Sequence, residues 1–140
     1  MTDQKLTMSL EDYLESVYML ILEKRPARVR DIASELGVTT PSVVNALSAL
    51  KERGLVTQEP YGSVELTESG LQMARRILSR HKLLTTFLGF IGDDEDTAET
   101  DACKMEHILS QATIANITSF LAKNGVKVNV EHLFHPKKDS

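Results

Sequence analysis

Residues 29–66 read VRDIASELGVTTPSVVNALSALKERGLVTQEPYGSVEL, and the punctuation of this stretch decides the fold. Val29, Ile32, Ala33 and Leu36 recur at helical spacing, and Gly37 then supplies the left-handed position that a tight turn between helices requires. Thr40 is suited to cap a further helix with Pro41 as its first residue, and Val44, Leu47 and Leu50 make an apolar stripe that stops at Gly54. Ser42, Asn45, Ser48 and Lys51 fall on the other face. Leu55-Val56-Thr57 and Ser63-Val64-Glu65-Leu66 flank Pro60-Tyr61-Gly62, which predicts a two-stranded hairpin with Gly62 in its turn.

Working outward toward the N-terminus, Ser9 and Asp12 resemble a capping box, and Tyr13, Leu14, Val17, Tyr18, Leu20 and Ile21 predict a helix over 10–23. Helix, helix, turn, helix, hairpin is winged-helix order. Toward the C-terminus, Thr67 caps a long helix over 67–91 with Leu71, Ala74, Leu78, Leu84 and Leu88 on its stripe. A fifth helix is expected over 97–109. A sixth starts at Ser110 or Thr113, carries Ile114, Ile117, Phe120 and Leu121, and closes at Asn124-Gly125 before a short polar tail. The expected fold is therefore mainly α: an N-terminal winged helix-turn-helix with a small β-hairpin wing over 1–74, then an α-helical dimerisation domain over 75–140, bridged by the long helix. Apolar surplus at Phe87, Phe90, Ile91, Ile108 and Leu109 points to a twofold homodimer.

Composition sets limits on function. With 140 residues, 41% of them hydrophobic, the chain buries one modest core or two small ones sharing a helix. No apolar run is long enough to cross a bilayer, and Met1-Thr-Asp-Gln-Lys-Leu carries no signal-peptide core, so a cytoplasmic location without a membrane partner is expected. The lone Cys103 cannot form an internal disulfide, which suits a reducing compartment. A net charge of −4 speaks at first against nucleic acid. However, the acid is gathered in Asp93-Asp94-Glu95-Asp96, Glu99, Asp101, Glu11, Asp12 and Glu15, whereas Lys24, Arg25, Arg28, Arg30, Lys51 and Arg53 lie in or beside the middle segment. Charge distribution is what a duplex meets.

A helix opening Thr40-Pro41-Ser42 after a tight turn can lie in the major groove, and Asn45 is the candidate for a bidentate contact to adenine. Thr40 and Ser42 can reach phosphate or bases, and Arg28, Arg30, Lys51 and Arg53 can hold the backbone. The alternative is an ordinary helical bundle with Asn45 merely solvated. A hairpin directly after the third helix tips the balance toward DNA, because it adds little to a bundle and gives a second backbone contact beside the groove.

Cys103-Lys-Met-Glu106-His107 sets a thiol, a carboxylate and an imidazole at i, i+3 and i+4, a group of metal-ligand types on one helix face. One face supplies only part of a coordination shell, and Asp12, Glu15 and His81 offer the remaining donors. Each has a quieter reading: Asp12 as part of the Ser9 cap, Glu15 as a solvated charge, His81 as a polar residue in a basic stretch, Cys103 as small buried filler. A metallohydrolase is disfavoured, since no dedicated base or substrate pocket is evident and a winged helix would be surplus to it; the chain is not expected to be an enzyme.

The order of a winged helix, a connecting helix with Arg80-His81-Lys82-Leu83-Leu84, and then Asp101-Ala102-Cys103-Lys104-Met105-Glu106-His107-Ile108-Leu109-Ser110 resembles the diphtheria toxin repressor family of metal-dependent transcriptional repressors. In length the chain is similar to the short manganese-sensing branch. The resemblance implies that Asp12, Glu15, His81, Cys103, Glu106 and His107 form a regulatory site for Mn(II) or Fe(II), and that the metal-loaded homodimer binds a double-stranded operator. Asp12 and Glu15 match the manganese branch, whereas Cys103 matches the iron-sensing branch. Carboxylates suit Mn(II), and a thiolate favours Fe(II), Co(II) or Zn(II). The iron branch's ancillary site is incomplete, with Thr85 and Glu99 where other ligands are expected. The competing reading is a metal-independent winged-helix regulator gated by a small ligand or by oxidation of Cys103.

Overall fold

A computed structural model describes residues 8–60 and 62–128 and divides the chain into two compact units, Met1–Ala74 and Arg75–Ser140. The first holds helices α1 (Met8–Leu22), α2 (Val29–Leu36) and α3 (Thr40–Glu52), strands β1 (Val56–Gln58) and β2 (Val64–Leu66), and the first turns of α4 (Glu68–Phe90). In α1 the positions Tyr13, Leu14, Val17, Tyr18 and Leu20 are buried, so the stripe read from the sequence faces a core, and the helix packs on α2, α3 and β2. Each fully buried leucine in such a stripe contributes about 1.5–3 kcal/mol relative to exposure.

Gly37 ends α2 at φ 68°, and the Val38 N–H closes the turn on the Ala33 carbonyl at 3.1 Å. The start of α3 differs from expectation by one residue. Thr39, in an extended conformation, is the N-cap and its hydroxyl accepts from the Ser42 N–H at 3.3 Å, so Thr40 is already helical and Pro41 sits in the first turn, where a missing N–H costs nothing. The inward stripe is likewise Val43, Ala46, Leu47 and Leu50, not Val44. One residue is a rotation of roughly 100° on a helix; moving the stripe onto Val43 turns Val44 outward, and it is 53% exposed.

The wing is antiparallel with register Val56↔Leu66, Thr57↔Glu65 and Gln58↔Val64, and each strand begins one residue later than expected. Leu55 is instead a junction: its N–H donates to the Leu50 carbonyl at 3.0 Å and its carbonyl accepts from the Thr67 N–H at 3.0 Å. The Gly62 N–H closes the turn on the Glu59 carbonyl at 2.8 Å; Tyr61, also assigned to this turn from the sequence, lies outside the described residues. The wing is tethered to the loop before α2 by the Val64 N–H, which donates to the Ala27 carbonyl at 2.8 Å.

Thr67 caps α4 as expected, accepting from the Gly70 N–H at 3.1 Å while its hydroxyl donates to the Gly54 carbonyl at 2.6 Å. Gly70 is held against the backbone of Leu55 so closely that a Cβ there would collide with the Leu55 carbonyl.

The second unit comprises the rest of α4, α5 (Glu95–Met105) and α6 (Gln111–Lys123). Asp94 and Ser110 cap the two shorter helices by accepting from the N–H groups of Thr97 and Thr113. Leu84, Leu88, Ala98 and Ala102 form the core, joined by Phe87, Met105, Leu109, Ile114 and Ile117. Phe120 takes Phe87 and Phe90 edge-on, with ring centroids at 6.1 and 5.9 Å. The expected fifth helix over 97–109 starts two residues earlier and ends at Met105. Ser110 must be extended to cap α6, so the chain turns first, and the Met105 carbonyl accepts from both Ile108 and Leu109 at 3.1 Å. The tail residues 129–140 lie outside the described residues.

Candidate metal centre and nucleic-acid interface

Within the second unit the structure brings together His81 of α4, Cys103 of α5, and Glu106 and His107, which stand just past the end of α5. The Glu106 carboxylate is buried, and each oxygen faces an imidazole: Oε1 accepts from His81 Nδ1 at 2.8 Å, and Oε2 lies 3.5 Å from His107 Nε2. Cys103 Sγ is 4.0 Å from the same Nδ1. The other ring nitrogen, Nε2, donates to Glu99 Oε2 at 2.7 Å.

Glu99 thus joins the cluster, a part not expected from the sequence. Its signal was a four-residue offset from Cys103 along α5, which puts both on one face. Asp12 and Glu15, half-buried at i and i+3 of α1, belong to the first unit.

The electrostatics follow from this crowding. The hydrogen bond to Glu106 raises the His81 pKa to about 9 against the opposing effect of burial, and Glu99 adds to the rise. Near neutral pH His81 is thus an imidazolium whose proton offsets the negative charge of two carboxylates. An imidazole, a thiol, a buried carboxylate and a second imidazole within a few ångströms are donor types that suit a divalent first-row ion, so the residues fit such a group.

The backbone around the cluster is fixed by Arg80. Its guanidinium donates to the carbonyls of Glu106 at 3.1 Å and Leu109 at 2.9 Å, and to the Gln111 side-chain oxygen at 2.8 Å. The turn that carries Glu106 and His107 is therefore tied to the α4 residue next to His81. Arg80 carries no signal of this role in the sequence, because a side chain that binds main-chain carbonyls leaves no residue-type pattern.

In the first unit, the residues expected to meet DNA are exposed without exception: Arg28, Arg30, Thr40, Ser42, Asn45, Lys51 and Arg53. Thr40, Ser42, Asn45 and Lys51 lie on α3, Arg30 on α2, Arg28 precedes α2, and Arg53 ends α3. The Ser42 hydroxyl also accepts from Thr39 Oγ1 at 2.9 Å, which fixes its orientation in the first turn.

A winged helix followed by a helical unit holding a thiol, imidazole and carboxylate cluster defines the class of metal-responsive winged-helix regulators. Residues 5–64 match the N-terminal DNA-binding domain of iron-dependent repressors, and residues 67–127 match their metal-binding and dimerisation domain. The chain belongs to the iron-dependent repressor family. It is 39% identical over 125 residues to an uncharacterised HTH-type transcriptional regulator of Methanocaldococcus jannaschii, covering 88% of this chain and 100% of that one. It is 41% identical over 111 residues to the HTH-type transcriptional regulator MntR of Bacillus subtilis, covering 79% of this chain and 78% of that protein. A solved manganese-dependent transcriptional repressor in complex with manganese superposes with a TM-score of 0.73 at 29% identity over 81% of this chain, which spans 52% of that structure's length.

Proposed function

We propose that the protein is a metal-activated repressor of metal-ion homeostasis that binds a double-stranded operator as a homodimer when loaded with Mn(II) or Fe(II). The observation that carries this reading is the convergence of His81, Cys103, Glu106 and His107 in a chain whose other unit is a winged helix with an exposed recognition face. Asp12 and Glu15 complete the proposed donor set of Asp12, Glu15, His81, Cys103, Glu106 and His107; their inclusion rests on donor chemistry and on the family resemblance.

A divalent cation supplies the positive charge that these acidic donors lack. His81 would hold the ion as the neutral ring, Glu106 would offer an oxygen already buried and oriented, and Arg80 holds the turn behind it. On the DNA side, Asn45 reads a base edge, Thr40 and Ser42 contact phosphate or bases, and Arg28, Arg30, Lys51 and Arg53 track the backbone. No helix among the described residues is long and apolar enough to cross a membrane. A cytoplasmic location and the absence of enzymatic activity belong to the same proposal, since the ligand is DNA and no reaction is required.

The test is a titration of duplex binding against Mn(II), Fe(II) under anaerobic conditions, Co(II) and Zn(II), with and without chelator, repeated on Cys103→Glu. Binding should require metal, and the variant should shift preference toward Mn(II). The exposure of the Cys103 thiol favours one second reading, a regulator gated by thiol oxidation. Operator binding that ignores chelator but responds to peroxide and is restored by a dithiol would select it.

A further inference from the structure

Val44 is 53% exposed on α3, while its neighbour Val43 is fully buried. A β-branched residue inside a helix costs up to about 0.7 kcal/mol in propensity relative to alanine, and at this exposure it recovers little by burial. The other exposed valine of this unit, Val38, has a local reason for being apolar. It closes the C-terminal turn of α2, where an apolar side chain commonly packs back on the helix.

Val44 is explained by its row. Thr40, Val44 and Ser48 lie at i, i+4 and i+8, beside the row of Pro41 and Asn45, and all five are exposed. No acidic residue occurs between Thr39 and Lys51. A neutral helix face with small hydroxyl groups, one amide and one branched apolar side chain suits the floor of the major groove. The apolar feature presented there is the C5 methyl of thymine.

We propose that Val44 is a specificity-determining residue that selects thymine by packing its methyl groups on the C5 methyl, next to the base pair read by Asn45. The assignment rests on the DNA-binding reading of the first unit. One methyl group removed from water changes affinity by roughly 4-fold, and by roughly 15-fold when both half-sites of a homodimer are altered together.

The experiment enriches duplexes from a random-sequence pool with the full chain and Mn(II). The enriched duplex is then remade with deoxyuridine in place of thymidine one position at a time, which deletes only the C5 methyl. The native chain should lose roughly 4-fold at one thymine in each half-site, and Val44→Ala should be indifferent to that replacement while keeping the native response elsewhere and a thermal midpoint no lower than the native one. Val44→Ser should relax the enriched sequence at the same base pair. A native chain with no methyl-sensitive position, or a Val44→Ala chain as sensitive as the native one, overturns the assignment and leaves DNA recognition standing. A chain that enriches no sequence with Mn(II), nor with Fe(II) under anaerobic conditions, overturns the DNA-binding reading with it.

Discussion

A single guanidinium, that of Arg80, bonds two carbonyls of the α5–α6 connector and the side-chain amide of Gln111 at the start of α6. It is a positioning residue for the proposed metal centre. Arg80→Ala should raise the metal concentration for half-maximal operator binding roughly 10- to 100-fold, the usual scale for losing an outer partner, while saturating metal restores binding. Asn45→Ala should lower specific operator binding by about 1–3 kcal/mol and leave general duplex binding nearly unchanged; fluorescence anisotropy with operator and scrambled duplexes separates the two. At His81 the sign of the pH effect is fixed by a folded pKa of about 9 above the ordinary 6.5. Its contribution to metal-free stability is complete below pH 6.5 and is lost as pH rises through 9. The difference in thermal midpoint between the metal-free native chain and His81→Gln should therefore shrink over that window. Metal loading runs the other way, since ligation needs the neutral ring and weakens as pH falls.

Among the elements, α4 makes the strictest demand on sequence at its start. Gly70 has no room for a Cβ against the Leu55 carbonyl, so Gly70→Ala must push the helix off the wing junction, at a cost of about 1–3 kcal/mol or more. Chemical denaturation of the metal-free chain measures this. Sequence reading located every helix, because the stripes of α1 and α4 and the stop at Gly37 are strong local signals. Helix ends were less legible: α1 starts at Met8, so Ser9 lies inside it and not at its cap, and the ends of α3 and α5 are set by which neighbour wins a cap. Thr39 and Thr40 are chemically equal candidates, and only backbone geometry separates them. The break after Met105 reflects the needs of the next helix, not any breaker within residues 105–109.

For the molecule as a whole, removal of metal should lower operator affinity by roughly 5- to 150-fold, the range typical of coupled sites, and readdition of Mn(II) or Fe(II) should reverse it in the same titration. The candidate site was legible in part. Cys103, Glu106 and His107 announce themselves by type and spacing, whereas Asp12, Glu15 and His81 are isolated donor types that only the resemblance joins to them. The hydrogen bonds of Glu99 and Arg80 depend on how α4 and α5 pack and on main-chain groups that every residue shares, so no letter in the sequence marks them.

Two adjacent valines with opposite surroundings carry a last consequence. Val43 is locked into the interior, and only similar apolar residues can follow it there without unfolding the unit. Val44 bears none of that burden. A lineage can exchange it freely, keep an intact regulator, and drift toward a new set of promoters. On the Val44 assignment the capacity to be rewired sits on the outer surface of α3, and a saturation library at these two codons would show loss of folding with non-apolar residues at the first and retargeting at the second.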